Sequence, residues 1–118
     1  MDSAVSIALD NLDWQHVDSK LKKKVMDGER MTVTRYSFGP GGRFPHHVHD
    51  QEQVTFVLSG DITFVIEDIH HDLAEGSLVI IPPARPHSAT AGTDGAEVLS
   101  VVSPARTEGR GISLLEEA

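Results

Sequence analysis

Residues 41 to 60 read Gly-Gly-Arg-Phe-Pro-His-His-Val-His-Asp-Gln-Glu-Gln-Val-Thr-Phe-Val-Leu-Ser-Gly, and the reading of this stretch decides the fold. His47 and His49 are separated by one residue. In an extended strand, residues i and i+2 point to the same face, so both imidazoles aim at one point while His46 points the other way. Gln53 stands four residues after His49, at the head of the apolar run Val54 to Leu58. Far downstream, Ile80-Ile81-Pro82-Pro83-Ala84-Arg85-Pro86-His87 places a further imidazole at the end of a second apolar run. His47, His49, Gln53 and His87 therefore make a four-ligand metal site of nitrogen and oxygen donors. Glu52 is the alternative to Gln53 if the turn after His49 is one residue tighter. The two differ in parity, so they do not both face the metal. Neutral imidazole suits zinc, iron, nickel, cobalt or copper.

Outward from this stretch the chain is a series of short apolar runs punctuated by turn residues. Residues 1 to 13 alternate weakly and predict a short strand or an arm, and Trp14 to Val17 a further short strand. Asp27-Gly28 predicts a two-residue hairpin turn within 25 to 31. Met31 to Phe38 is rich in strand-forming Thr, Val, Tyr and Phe. Gly39 to Gly42 is a turn. Gln53 to Leu58 and Ile62 to Ile66 read as two strands joined by a turn at Ser59-Gly60-Asp61. His70, His71 and Asp72 fall at an expected hairpin tip, where a solvated polar turn is the default and a second metal site the alternative. Leu78 to Ile81, Ser88 to Ala91 and Glu97 to Val102 complete the strands, the last two joined by a turn at Thr93-Asp94-Gly95. Residues 112 to 117 predict a short helix or a frayed tail. No amphipathic helix of ten or more residues precedes them. Turn signals recur about every 8 to 12 residues, the pattern of an all-β sandwich or barrel.

Composition narrows the function classes. At 118 residues the chain is most simply one domain, with a core at about 25–103, an arm at 1–13 and a tail at 104–118. A chain of this size buries about 65% of its unfolded surface and needs no staples to fold. It has no cysteine, which excludes disulfides, thiolate zinc sites and a cysteine nucleophile. The net charge of −8 argues against a nucleic-acid partner. The one basic cluster, Lys20 to Lys24, reads as a solvated strand or turn. No apolar run approaches the ~20 residues of a membrane span, and the start has no signal-peptide pattern. The expectation is a cytoplasmic protein acting on a small molecule.

Two motifs resemble those of a known family. Gly41, five residues, His47-Val48-His49, three residues, Gln53, six residues, Gly60 resembles the first cupin motif, with Gln where many members have Glu. Gly76, five residues, Pro82-Pro83-Ala84, two residues, His87 resembles the second, with Ala84 and Ala91 in place of its usual Gly and Asn. The resemblance covers about Met31 to Val102. It implies a double-stranded β-helix, a jelly-roll barrel of two antiparallel sheets enclosing one divalent transition metal: zinc, nickel, cobalt, manganese or iron. It also implies a homodimer. An empty barrel whose histidines make ordinary hydrogen bonds is the competing reading.

The ligand set carries no charge of its own, so a divalent ion keeps its full +2 inside a low-dielectric barrel and favours anionic ligands. That points to Lewis-acid rather than redox chemistry. The Gln-containing pattern is similar to two small-cupin groups, the pectin-degradation type and the cupin-type aromatic polyketide cyclases. In the first, an Asp-x-Phe-x-Pro-x-Arg segment contacts the sugar acid. The matching stretch here, Ser100 to Arg106, keeps Pro104 and Arg106 but has Ser100 and Val102 in place of Asp and Phe. Arg106 is thus the expected carboxylate-binding group, or else a surface ion pair at a strand end. Val102 makes the barrel more apolar and fits a flatter substrate. Tyr36, Glu52 and metal-bound water are the candidate acid/base groups, and Arg85 is expected to face solvent or lie on the rim. The resemblance implies a non-oxidative enzyme of cyclase, isomerase or lyase type acting on a small enolisable or polyketide-like compound. An iron-dependent dioxygenase and a non-catalytic small-molecule-binding barrel are the alternatives.

Overall fold

Alternation of inward and outward side chains governs the architecture. In Thr32–Phe38 every second residue is buried (Thr32, Thr34, Tyr36 and Phe38), as a strand with one face on a core requires. The computed structural model describes residues 3–106 and 112–115. In chain order its strands are β1 (Gln15–Asp18), β2 (Leu21–Asp27), β3 (Thr32–Phe38), β4 (Arg43–Val48), β5 (Glu52–Ile66), β6 (Ile69–Ala74), β7 (Leu78–Ile81), β8 (His87–Ser103) and β9 (Ser113–Leu114). All pairings are antiparallel.

Two long strands make the barrel. The first half of β5 and the second half of β8 pair with each other and carry β7 and β3 on their outer sides. Beyond a bend, the second half of β5 pairs with the first half of β8, flanked by β6 and β4. Each long strand thus crosses from one sheet to the other, and the two sheets enclose a common interior. The bends replace the two turns expected at 59–61 and 93–95. The chain does not reverse there, and the β5–β8 ladder resumes after register shifts around Ser59 to Ile62. Gly60 and Gly95 take positive φ values of 75° each. A Cβ on Gly60 would lie 2.1 Å from the Gly95 carbonyl oxygen. Glycine permits a bulge as readily as a turn, and here it lets the two backbones touch where both strands bend.

The Asp27 hairpin closes Asp27 on Thr32 through a four-residue connection, with Gly28 N donating to Met31 O, and not through a two-residue turn. The β5–β6 hairpin tip is Glu67-Asp68, both at positive φ, so His70, His71 and Asp72 lie along β6, with Thr63 donating to the Asp72 carboxylate. The basic cluster is not uniformly solvated. Lys24 is buried, donates from Nζ to Leu9 O (3.0 Å), and with Lys22 packs on the Trp14 ring. Residues 3–8 form no strand and lead into a single 3-10 turn, Leu9–Asn11. Where a helix or frayed tail was expected over 112–117, Ser113–Leu114 adds a strand to β4, and 116–118 lie outside the described residues.

The interior is graded. Val57, Ile62, Phe64, Val79, Ala89, Ala91, Ala96 and Val98 pack one part of it. Thr32, Thr34, His47, His49, Gln53, Thr55, His87 and Ser100 are also buried. So many buried polar side chains need partners, and this polar zone is where chemistry is to be sought.

Candidate metal centre and its cavity

The imidazoles come from the ends of β4 and β8. His47 lies opposite His87 in the β4–β8 ladder, and His49 stands just past the end of β4. Gln53 enters from the second position of β5. His47 and His87 ring centroids are 4.1 Å apart, and His49 and His87 4.9 Å. Among the described residues, the three imidazoles form the cluster whose candidate ligand atoms all lie within 4.8 Å of one another.

Each ring faces a backbone carbonyl through Nδ1: His47 to Pro45 O (2.7 Å), His87 to Arg85 O (2.7 Å) and His49 to Gln51 O (3.1 Å). A carbonyl oxygen only accepts, so the proton sits on Nδ1 and the neutral ring carries its lone pair on Nε2. His87 Nε2 is buried with no hydrogen-bond partner. His49 Nε2 lies 2.9 Å from Gln53 Oε1, lone pair towards lone pair. A buried acceptor left unpaired costs about 1–3 kcal/mol. A divalent cation placed among these atoms meets all of the needs at once, and the donor set of three imidazoles and one amide oxygen suits zinc, nickel, cobalt or iron. The residues present therefore fit a divalent transition metal.

Electrostatics keeps the cluster ready for a cation. Burial is the largest cause that lowers the His47 pKa to about 3, followed by repulsion from His87. Burial likewise lowers His87 to about 4, with further lowering from His49 and Arg106. His49 is lowered by burial and then by Arg106. At neutral pH all three rings hold free lone pairs.

Beside the cluster lies a narrow cavity of about 20 Å³, room for little more than one water. Tyr36, Phe38, Phe44, Phe64 and Val98 give it apolar walls, and Gln53, Ser100 and Arg106 its polar contacts. Phe44 packs on His47 with 4.4 Å between centroids, and edge-on against Tyr36 at 5.9 Å. Arg106 is held by its backbone N–H, which donates to Thr32 Oγ1 (2.8 Å), and its neighbour Ala105 is buried. The guanidinium donates to Tyr36 Oη (3.3 Å), while its Nε is buried without a partner. Arg106 thus points into the cavity rather than into a surface ion pair.

The sequence-predicted residues divide as follows. His47, Gln53, His87, Tyr36 and Arg106 line the cavity, with His49 beside them. Glu52 is exposed on the outer face of β5, as its parity opposite to buried Gln53 requires, and so points away from the three imidazoles. Val102 is buried opposite Gln53 across the β5–β8 ladder and is not among the residues lining the cavity. Arg85 is exposed and pairs with Glu67 (3.4 Å), supplying only its carbonyl to His87. Phe38, Phe44, Phe64 and Thr55 were not singled out by sequence reading. Alternation from Tyr36 and Gln53 finds Phe38 and Thr55, each two residues on. Nothing local marks Phe44 or Phe64.

A barrel of two antiparallel sheets with an imidazole cluster inside defines the class. The Cupin domain family model matches residues 34–102, and the chain belongs to the cupin family. Among solved structures it is similar to a RmlC-like cupin from Shewanella frigidimarina, with TM-score 0.82, 22% identity, and coverage of 89% of this chain and 95% of that one. It is also similar to KdgF from Halomonas sp., with TM-score 0.83, 21% identity and coverage of 89% and 97%. An oxalate decarboxylase from Bacillus subtilis aligns at TM-score 0.83 and 20% identity over 96% of this chain, which spans only 33% of that protein. At these identities the likeness carries the fold alone. Comparison with curated proteins found no match.

Proposed function

We propose that this cupin is a metal-dependent, non-oxidative enzyme acting on a small anionic compound that is enolisable or polyketide-like, with chemistry of cyclase, isomerase or lyase type. The observation that carries the reading is the buried convergence of three imidazoles beside the Gln53 amide, with His87 Nε2 left without a hydrogen-bond partner. His47, His49, Gln53 and His87 would hold one divalent ion: zinc, nickel, cobalt, manganese or iron. When bound, the ion supplies Lewis-acid polarisation of a substrate carbonyl or carboxylate oxygen.

The remaining steps belong to the protein. Arg106, with its Nε unsatisfied and its guanidinium in the cavity, pairs with a substrate carboxylate or phenolate. Tyr36 accepts from Arg106 through Oη, which leaves its own phenolic proton available to a substrate oxygen. Phe38, Phe44 and Phe64 give the cavity an apolar lining that favours an apolar or aromatic part of a substrate.

We also propose that the chain pairs as a homodimer. Phe56, Leu58, Leu78 and Ile80 are exposed on the outer faces of neighbouring strands β5 and β7, an apolar surface that a second copy would cover.

The test is elemental analysis of untagged protein beside a His47→Ala/His49→Ala variant, with oxygen uptake followed against a panel of β-diketones and 2-oxo acids. Stoichiometric zinc, nickel, cobalt or manganese that disappears in the variant, without oxygen uptake, is the expected result. Stoichiometric iron with oxygen uptake would establish the dioxygenase instead. No metal, and unchanged stability in the variant, would leave a binding barrel.

A further inference from the structure

Three buried polar side chains continue inward from the metal cluster. Gln53 Nε2 donates to Thr55 Oγ1 (2.9 Å), and Thr55 Oγ1 lies 2.7 Å from Ser100 Oγ, its cross-strand neighbour. Thr55 is fully buried, and Ser100 lines the cavity. A hydroxyl both gives and accepts, so this chain of groups can run in either direction. With the amide oxygen towards His49, Gln53 donates to Thr55, Thr55 donates to Ser100, and the Ser100 proton turns into the cavity. With the amide reversed, its N–H donates to the His49 Nε2 lone pair. Thr55 then donates to the amide oxygen, Ser100 donates to Thr55, and Ser100 offers the cavity only lone pairs. The two arrangements keep the same heavy-atom outline and exchange only the amide oxygen and nitrogen of Gln53. They differ in what faces the metal position, an oxygen or an N–H.

We propose that Thr55 is a positioning residue that, with Ser100, sets the direction of the Gln53 amide, so that metal loading and the hydrogen-bonding character of Ser100 are coupled. The inference rests on Gln53 being a ligand, as proposed above. A cation among the imidazoles repels the N–H and selects the first arrangement, in which Ser100 becomes a donor aimed at a substrate oxygen. Without a cation, reversing the amide satisfies His49 and so favours the second. Both ends bias one two-state element, so by reciprocity a ligand that accepts from Ser100 tightens the metal. Partners that orient a metal ligand typically change affinity by about 10–100-fold when removed.

The test measures zinc affinity by competition with a chromophoric chelator and the visible spectrum of the cobalt-loaded protein. The variants are Thr55→Val, Thr55→Ser, Ser100→Ala, Gln53→Leu and the Thr55→Val/Gln53→Leu pair. Metal-free unfolding is followed beside them. Thr55→Val is expected to weaken zinc about tenfold and to alter the cobalt spectrum. Thr55→Ser should restore both. Ser100→Ala, which frees the Thr55 proton to turn back towards the amide oxygen, should weaken zinc in the same direction. Gln53→Leu should weaken zinc, and adding Thr55→Val to it should weaken zinc no further. If Gln53→Leu weakens zinc while Thr55→Val and Ser100→Ala bind as tightly as wild type, the relay is wrong and the ligand assignment stands. If additivity holds in the pair, Thr55 acts only on packing and the inference falls. If Gln53→Leu binds zinc as wild type does, the ligand assignment fails and takes the relay with it. Should Thr55→Val not fold, Thr55→Ser and Ser100→Ala decide the question alone.

Discussion

Acidifying the metal-free protein should unfold it earlier than its carboxylates alone would, and the histidine cluster determines by how much. In the folded state His47 is held at about 3 by burial and repulsion from His87, and His87 at about 4 by burial and repulsion from His49 and Arg106. In the unfolded chain both return to about 6.5. The folded state therefore binds fewer protons than the unfolded state between these limits. Stability is complete above about pH 6.5 and falls as pH drops, until the folded values are reached. Each group withholds about one proton in that window, a slope of about 1.4 kcal/mol per pH unit, or roughly 2 kcal/mol each by pH 5. Together that is roughly 4 kcal/mol, a large part of the 5–15 kcal/mol typical of a domain. Urea unfolding of metal-free protein at several pH values between about 8 and 5 measures the slope. A His47→Leu/His87→Leu variant should lose most of it. The same lowered values predict that zinc affinity of the folded protein stays nearly constant over this range, because protons compete with the metal only near the folded pKa values. The reasoning is refuted if metal-free stability is flat down to pH 5. It is equally refuted if zinc affinity begins to fall near pH 6.5, as for solvated imidazoles.

Four further outcomes are expected. Ala84 sits at φ 59° in the exposed turn before His87, a conformation that costs a side-chain-bearing residue about 1–2 kcal/mol. After the unfolded-state entropy of glycine is subtracted, Ala84→Gly should stabilise by up to about 1 kcal/mol in urea unfolding with metal binding unchanged. Gly60→Ala should do the opposite. Its Cβ would meet backbone atoms of Gly95 and Ala96 at a positive φ, and a loss above about 3 kcal/mol or failure to fold is expected from the soluble yield and melting temperature. Arg106→Leu should leave zinc binding by competition titration within about threefold of wild type but weaken capture of a carboxylate probe such as succinate by about 10-fold or more, since a charge-assisted pair is worth roughly 1.5–3 kcal/mol. Phe56→Lys/Ile80→Lys, which charges the exposed outer face of β5 and β7, should convert the proposed dimer to a monomer by light scattering.

Much of the site was legible because a strand has a period of two. That period alone put His47 and His49 on one face and separated Gln53 from Glu52, and in the structure it also makes Thr32, Thr34, Tyr36 and Phe38 a single inward row. The spacing of the imidazoles and of the glycines carried the barrel class. The turn residues carried less, because Gly60 and Gly95 use the same positive φ for a bulge that other sequences use to reverse the chain. Whether such a glycine turns or bends depends on which strand lies opposite. For both the neighbour is remote: Ile62 to Ile66 pair with the residues from Ala91 back to His87.

What the sequence by itself determined was the class of fold and the ligand-type residues, since strand alternation and donor chemistry are properties of a few adjacent side chains. Only the tertiary structure decided which of them meet. The approach of β8 to β4 brings His87 to His47 from forty residues away, and the anchoring of Arg106 on Thr32 aims a guanidinium into the cavity. The pairing of β5 with β8 stacks Thr55 on Ser100 beneath Gln53. These contacts join residues far apart in the chain, and their geometry follows from barrel closure, which no local pattern encodes.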